Sequence, residues 1–268
     1  MSSTIVVLLA LLIALLVQPQ HSNEEVFSKG NVLLLTAHPD DECMFFAPTI
    51  RALTRSNISL FSLCLSVGDA EGLGAIRREE LSKSLDVLAI PLTRRWAIDH
   101  PDLQDNFTAQ WDAGVISNVV EPYVSANNIS IILTFDVGGV SGHPNHRSLP
   151  AGAHRLLEKN PDTFKLYTLI TRPVVAKYTS LVAPLYAKFT FMQHQIFPVL
   201  NTRLAQRLGV IQLSAKNSKP PPTLVSGIAD YVTALSAMRA HASQLVWFRY
   251  LYVLFSRYMW VNEWDHSP

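Results

Sequence analysis

Residues 37–42 read Ala37-His38-Pro39-Asp40-Asp41-Glu42, one imidazole followed by three carboxylates. Further along, the glycine-rich stretch 136–146 (DVGGVSGHPNH) ends in two histidines, His143 and His146. Imidazole and carboxylate without thiolate suit catalytic zinc or another borderline divalent ion, and three protein ligands leave an open position for water. An ion held this way lowers the pKa of that water towards 7. On a tight turn neighbouring carboxylates diverge, so one can bind metal while the next faces the water as general base. The second histidine would then steady an oxyanion and later hand a proton to a leaving amine. Together these parts describe metal-assisted hydrolysis of an amide. The residue types alone leave open which of Asp40 and Asp41 binds the ion, and which of His143 and His146 joins His38. Taken singly, each segment also suits a structural reading: Pro-Asp-Asp is a good helix N-cap, and His-Pro-Asn-His a polar turn. The spacing of Gly138, Gly139 and Gly142 is not G-x-G-x-x-G, which excludes a dinucleotide cradle.

The elements that must position these residues follow from the pattern around them. Residues 31–37 (NVLLLTA), 58–67 (ISLFSLCLSV) and 129–135 (ISIILTF) are short apolar runs bounded by turn residues, as in strands buried on both faces of a parallel sheet; 95–98 and 164–171 also fit strands. Between them residues 42–55, 75–88, 108–125 and about 146–159 fit helical periodicity. This alternation predicts an α/β chain with a Rossmann-like, doubly wound, mostly parallel sheet and helices on both faces. Such sheets bind ligands beyond the carboxyl ends of their strands, and the loops after the first and fourth strands face each other over one crevice. Both motifs fall on those two loops. The one shift in composition, residues 216–222 (KNSKPPP), reads as a surface loop before a final helical section.

Composition sets the outer bounds. The 268 residues carry 22 Lys and Arg against 21 Asp and Glu, a net charge of +1, which gives no electrostatic case for nucleic-acid binding. A hydrophobic content of 49% against 16% charged excludes intrinsic disorder. Cys43 and Cys64, both in apolar segments, read as buried thiols. Residues 4–17 (TIVVLLALLIALLV) form an uncharged apolar run, short for a membrane span and lacking the flanks of a signal peptide. We therefore divide the chain into an N-terminal hydrophobic anchor or signal over residues 1–22 and a catalytic domain over 23–268. Sequons at Asn57, Asn106 and Asn128 lean towards a lumenal domain and carry little weight, since such triplets are common by chance.

At this point the motifs resemble the zinc-dependent sugar de-N-acetylases. His38-Pro39-Asp40-Asp41-Glu42 and Gly142-His143-Pro144-Asn145-His146 carry the likeness, and residues 66–74 (SVGDAEGLG) with Arg77 and Glu80, 99–105 (DHPDLQD), Trp111 and Trp247-Phe248-Arg249 extend it over most of the chain. The resemblance implies zinc ligands at His38, Asp41 and His146, a general base at Asp40, an oxyanion-stabilising acid at His143, and an arginine, Arg77, that meets the polar or phosphate part of the substrate. It also implies an N-acetylglucosamine carried by a phosphatidylinositol glycolipid, and so a place at the endoplasmic reticulum membrane with the domain facing the cytosol. In that light residues 245–264, read as one helix with Trp, Tyr and Arg on all sides, suit either core burial or a membrane interface. His100, His154, His194 and His241 read as structural histidines.

Overall fold

The computed structural model describes residues 13, 14, 16–193 and 220–268. Most of the apolar run 4–17, His194 and most of the 216–222 loop lie outside the described residues. No described helix is long and apolar enough to cross a membrane.

Eight strands form one mixed sheet: β1 (Gln20–Ser22), β2 (Asn31–Thr36), β3 (Leu60–Cys64), β4 (Arg95–Ala97), β5 (Ile129–Phe135), β6 (Lys165–Leu169), β7 (Thr223–Val225) and β8 (Val261–Ser267). Their order is β1-β7-β8-β6-β5-β2-β3-β4. The apolar runs predicted as strands make the parallel block, with β2 paired to both β3 and β5, β4 flanking β3 and β6 flanking β5. From β2 the chain winds one way through β3 and β4, then returns to β5 and winds the other way. The reversal lies between β2 and β5, so a crevice opens beyond their carboxyl ends. The antiparallel edge of β8, β7 and β1 was not anticipated, because β1 and β7 have three residues each and β8 (VNEWDHS) has only two apolar residues and no alternation. The sheet thus begins at Gln20, within the stretch that the sequence assigns to the N-terminal segment.

The main helices are α1 (Asp41–Phe45), α2 (Ala47–Arg55), α3 (Gly74–Val87), α4 (Ala113–Ala126), α5 (Pro144–Lys159), α6 (Ile228–Ala240) and α7 (Trp247–Phe255). α6 packs on α1, α2 and α3, while α4 packs on α5; right-handed crossovers put these two groups on opposite faces of the sheet.

Three expectations need correction. The helix predicted over 42–55 is broken at Phe46, because Pro48 cannot donate to the Met44 carbonyl. Asn262 wedges into the break, its amide oxygen accepting from Thr49 N at 3.1 Å and its Nδ2 donating to the Phe45 carbonyl at 2.8 Å. The helix predicted from residue 108 starts at Ala113, where the Asp112 carboxylate caps Val115 N at 3.0 Å. Residues 245–264 are not one helix: α7 stops at Phe255, and Trp264 is a fully buried residue of β8, stacked on Phe46.

Candidate metal centre and catalytic cleft

The turn after β2 is strained where the chemistry sits. Asp40 has φ 106°, a conformation that side-chain-bearing residues rarely adopt. Glu42 holds it there, accepting a hydrogen bond from Asp40 N at 3.0 Å. Glu42 is in turn buried against the His241 ring (Oε1 to Nε2, 2.7 Å) and the Ser84 hydroxyl. Asp41 turns the other way and accepts from the backbone N–H groups of Ala37 and His38 at 3.0 and 2.9 Å. The two neighbouring carboxylates therefore diverge, as a tight turn requires.

The loop after β5 delivers the histidines. Gly139 (φ 58°) passes so close to His146 that a Cβ there would lie 2.9 Å from His146 Cβ. His146 Nδ1 faces the Gly139 carbonyl at 3.1 Å, so the proton sits on Nδ1 and the Nε2 lone pair is free. His38 Nε2 faces Asn145 Oδ1 at 3.0 Å and Asp105 Oδ1 at 3.3 Å, both acceptors, so its proton sits on Nε2 and the Nδ1 lone pair is free. Those two free nitrogens stand 3.2 Å apart, and Asp41 Oδ1 stands 3.2 Å from the same His146 Nε2.

Three buried acceptor atoms thus converge, with the second ring nitrogen of each histidine already engaged, an arrangement that calls for a proton on His146 Nε2 or a metal cation among them. Ligand atoms of a tetrahedral ion at about 2.0–2.1 Å stand roughly 3.3 Å from one another; the two separations to His146 Nε2 match this, while His38 Nδ1 comes no nearer than 4.0 Å to the Asp41 carboxylate. The hydrogen bonds to the Gly139 carbonyl and Asn145 Oδ1 are the kind of outer contacts that set the tautomer of metal-binding histidines. A ring nitrogen of His143 lies within 4.8 Å of those of His38 and His146.

The electrostatics are consistent with this division. Burial alone would push Asp41 up, but His146 and His38 beside it hold its carboxyl well below the usual range. Burial pushes Asp40 up and Asp41 adds to this, while Arg249 and Arg77 oppose it. Burial, with His38 and His146 nearby, pushes His143 down to about 4. Its Nδ1 accepts from Asn145 N at 3.2 Å, so neutral His143 carries its proton on Nε2, which lies 3.9 Å from Asp105 Oδ1.

All six side chains singled out from the sequence, His38, Asp40, Asp41, Arg77, His143 and His146, line one cleft of about 710 Å³. Arg77 does so with three of its donors engaged: Nη1 serves the Gly68 carbonyl at 2.8 Å and Asp105 at 3.1 Å, and Nη2 the Pro39 carbonyl at 2.9 Å, while Nε is buried without a partner. It holds the Asp40 turn and Asp105 in place. His241, expected as a structural histidine, is the buried partner of Glu42, and His154 hydrogen-bonds the Ser267 hydroxyl at 2.8 Å.

Two residues of the site received no role from the sequence. Asp105 touches His38, His143 and Arg77 from the loop after β4. Arg249 on α7 places Nη2 3.0 Å from Asp40 Oδ2. The signal for Arg249 was present: a carboxylate buried next to another needs a cation, and Arg249 lies in an otherwise apolar run.

The sequence profile of the GlcNAc-PI de-N-acetylase (PIG-L) family matches residues 33–157. The chain is 38% identical to the N-acetylglucosaminyl-phosphatidylinositol de-N-acetylase of Bos taurus, over 87% of this chain and 82% of that one. It is 33% identical to the protein of the same name from Saccharomyces cerevisiae, over 92% and 84%. Among solved structures, N,N'-diacetylchitobiose deacetylase from Pyrococcus horikoshii superposes with a TM-score of 0.52 at 16% identity, over 100% of this chain and 94% of that one. A deacetylase of the teicoplanin biosynthetic pathway superposes with a TM-score of 0.55 at 11% identity, over 89% and 99%. At these identities the structures share the fold.

Proposed function

The chain belongs to the GlcNAc-PI de-N-acetylase family, and on that premise we infer that it hydrolyses the N-acetyl group of N-acetylglucosaminyl-phosphatidylinositol. The products are acetate and glucosaminyl-phosphatidylinositol, the second step of GPI-anchor synthesis. The observation that carries the chemistry is the convergence of His38 Nδ1, His146 Nε2 and Asp41 Oδ1 beside a separate buried carboxylate, Asp40.

In this reading His38, Asp41 and His146 hold a divalent metal ion, which we take to be zinc from the two-imidazole, one-carboxylate donor set. When bound, such an ion lowers the pKa of a water and polarises the acetamide carbonyl. Asp40 takes a proton from the attacking water as its oxygen bonds the carbonyl carbon; burial makes this carboxylate a stronger base than an exposed one. His143, neutral, directs its Nε2–H at the developing oxyanion. As the C–N bond breaks, the proton held by Asp40 passes to the leaving nitrogen, because neutral His143 keeps its single proton on Nε2, facing the oxyanion. Arg77 braces the Asp40 turn through the Pro39 carbonyl and, lining the cleft, is also placed to meet the polar or phosphate part of the substrate.

We place the protein at the endoplasmic reticulum membrane with this domain on the cytosolic side. The lipid nature of the substrate and the apolar run at residues 4–17 support a membrane location, and the compartment and side follow from the family resemblance.

The deciding experiment measures acetate release from N-acetylglucosaminyl-phosphatidylinositol by detergent-purified protein, with Asp40→Asn alongside and N-acetylglucosamine as competing substrate. Turnover of the lipid that falls by roughly 10² to 10⁴ in the variant is the expected result. Cleavage of the free sugar alone would overturn the substrate, and metal-loaded protein that cleaves neither would overturn the reaction.

A further inference from the structure

α7 is amphipathic in the reverse sense to a helix that faces water. Its inward side carries the polar groups: Arg249 reaches Asp40, and the Tyr252 hydroxyl donates to the Met44 carbonyl at 3.1 Å. Its outward side presents Trp247, Leu251 and Leu254 at helical spacing, and Trp247 is 75% exposed. Beside it runs the segment 174–182, fastened by Ser180, whose N–H donates to the Phe255 carbonyl at 2.9 Å and whose hydroxyl donates to the Leu254 carbonyl at 2.7 Å. That segment adds Val174, Val175 and Val182 to the same face, with Val175 85% exposed.

This apolar face is continuous with the cleft. Phe248, Tyr178, Val174 and Phe107 are exposed and also line the cleft that holds His38 and Asp40. Neither residues 173–193 nor residues 245–260 contain an Asp or Glu, while Lys177 and Arg249 stand at the cleft itself. A face that turns Trp, Tyr and aliphatic groups outward, has no carboxylate and rims a cation-bearing cleft has the chemistry of a membrane interface.

We propose that this face docks on a phospholipid bilayer, with α7 lying in the interface and the cleft opening onto the membrane plane. A glycolipid head group then enters the cleft while its acyl chains stay in the bilayer. The identity of that head group rests on the function proposed above; the docking rests on the surface alone. It is also distinct from any anchoring by residues 4–17, since it fixes the orientation of the cleft as well as its proximity to the membrane.

The test reconstitutes the full chain into phosphatidylcholine and phosphatidylinositol vesicles whose acyl chains carry bromine, and reads quenching of tryptophan fluorescence. Trp111, Trp260 and Trp264 are buried and Trp96 is half-buried on β4, so the exposed Trp247 is the one whose loss in Trp247→Phe reads contact of this face with the acyl chains. Quenching in the wild type that is largely lost in Trp247→Phe is the expected result. A vesicle-bound protein whose Trp247 stays unquenched overturns the proposal and leaves the face to a protein partner. In a second arm, Leu251→Glu with Leu254→Glu is expected to slow turnover of the vesicle-embedded substrate by about tenfold or more while sparing a water-soluble short-chain analogue. Equal loss on both substrates, or on neither, counts against docking. The quenching needs no turnover, so a protein that docks but does not deacetylate sinks the function and leaves the docking standing.

Discussion

Arg249 Nη2 lies 3.0 Å from Asp40 Oδ2, so the cation facing the proposed base comes from α7, at the far end of the chain. The contact meets no directed hydrogen-bond geometry, which leaves the Asp40 oxygen free to accept a proton. Arg249 also restrains the upward push that burial exerts on Asp40. Asp40 must be ionised to act as base. Removing the cation in Arg249→Gln should therefore shift the acidic limb of kcat/KM to higher pH, by about one unit or more. Activity at neutral pH should fall, and Arg249→Lys should recover part of it. A limb that stays in place would show that the pair does not tune the base.

Asp105 stands 3.3 Å from His38 Nε2, whose hydrogen bond goes to Asn145 Oδ1, and also faces His143 and Arg77. Asp105→Ala should weaken metal affinity by about 10- to 100-fold, measured by competition with a chelator of known affinity. His38→Ala should instead abolish stoichiometric metal binding. Equal affinity in wild type and Asp105→Ala would remove Asp105 from the metal site.

Glu42 and His241 form a fully buried pair beneath the catalytic turn. Burial opposes both charges, but each holds the other ionised: Glu42 is lowered from its ordinary 4.5 and His241 raised from 6.5. The Glu42 contribution is present above pH 4.5 and is lost as pH falls through its lowered value. The His241 contribution is present below pH 6.5 and is lost as pH rises through its raised value. The melting-temperature gap between wild type and His241→Gln should therefore be widest between pH 4.5 and 6.5 and narrow above that window. Breaking such a pair costs about 3–5 kcal/mol, which corresponds to roughly 10 °C. A gap that does not vary with pH would mean that the pair is not ionic.

Gly68 has φ 69°, and a Cβ there would lie 2.4 Å from the Arg77 guanidinium carbon. Gly68→Ala combines left-handed strain with displacement of Arg77 from the Pro39 carbonyl and Asp105. We expect a loss of about 1–3 kcal/mol in chemical denaturation, with lower activity from the loosened turn. A variant with wild-type stability and turnover would show that Arg77 does not brace the site.

Asn57, Asn106 and Asn128 are exposed, and Asn57 and Asn128 occupy left-handed turns (φ 55° and 48°) where asparagine is favoured for conformational reasons. On the proposed cytosolic placement of the domain these sequons are expected to stay unmodified. The protein from its native membrane should keep its mobility on gels after glycosidase treatment, and a downward shift would place the domain in the lumen.

The five parallel strands and the two loops after β2 and β5 were legible because their signals are local. An apolar run bounded by turn residues marks a doubly buried strand whatever lies elsewhere, and the reversal of winding follows from the order of elements. The edge strands β1, β7 and β8 carried no such signal: two are three residues long, and β8 is patterned by its partners. The break at Phe46 was half visible in Pro48, but the residue that stabilises it, Asn262, is 213 positions from Thr49, whose N–H it accepts.

The sequence by itself determined the ingredients of the site: one imidazole with adjacent carboxylates on the first switch-point loop, two histidines on the facing loop, and strands that deliver both to one crevice. Those are properties of residue type and of elements next to one another in the chain. Tertiary structure alone decided how the ingredients divide. Asp41 turns to His146 because the Ala37 and His38 amides capture it, and Asp40 turns away because Glu42 holds its N–H. The cation at Asp40 and the outer contacts at His38 come from α7 and from the loop after β4. A lone pair acquires direction, and a buried charge its partner, only when segments distant in sequence are packed against it.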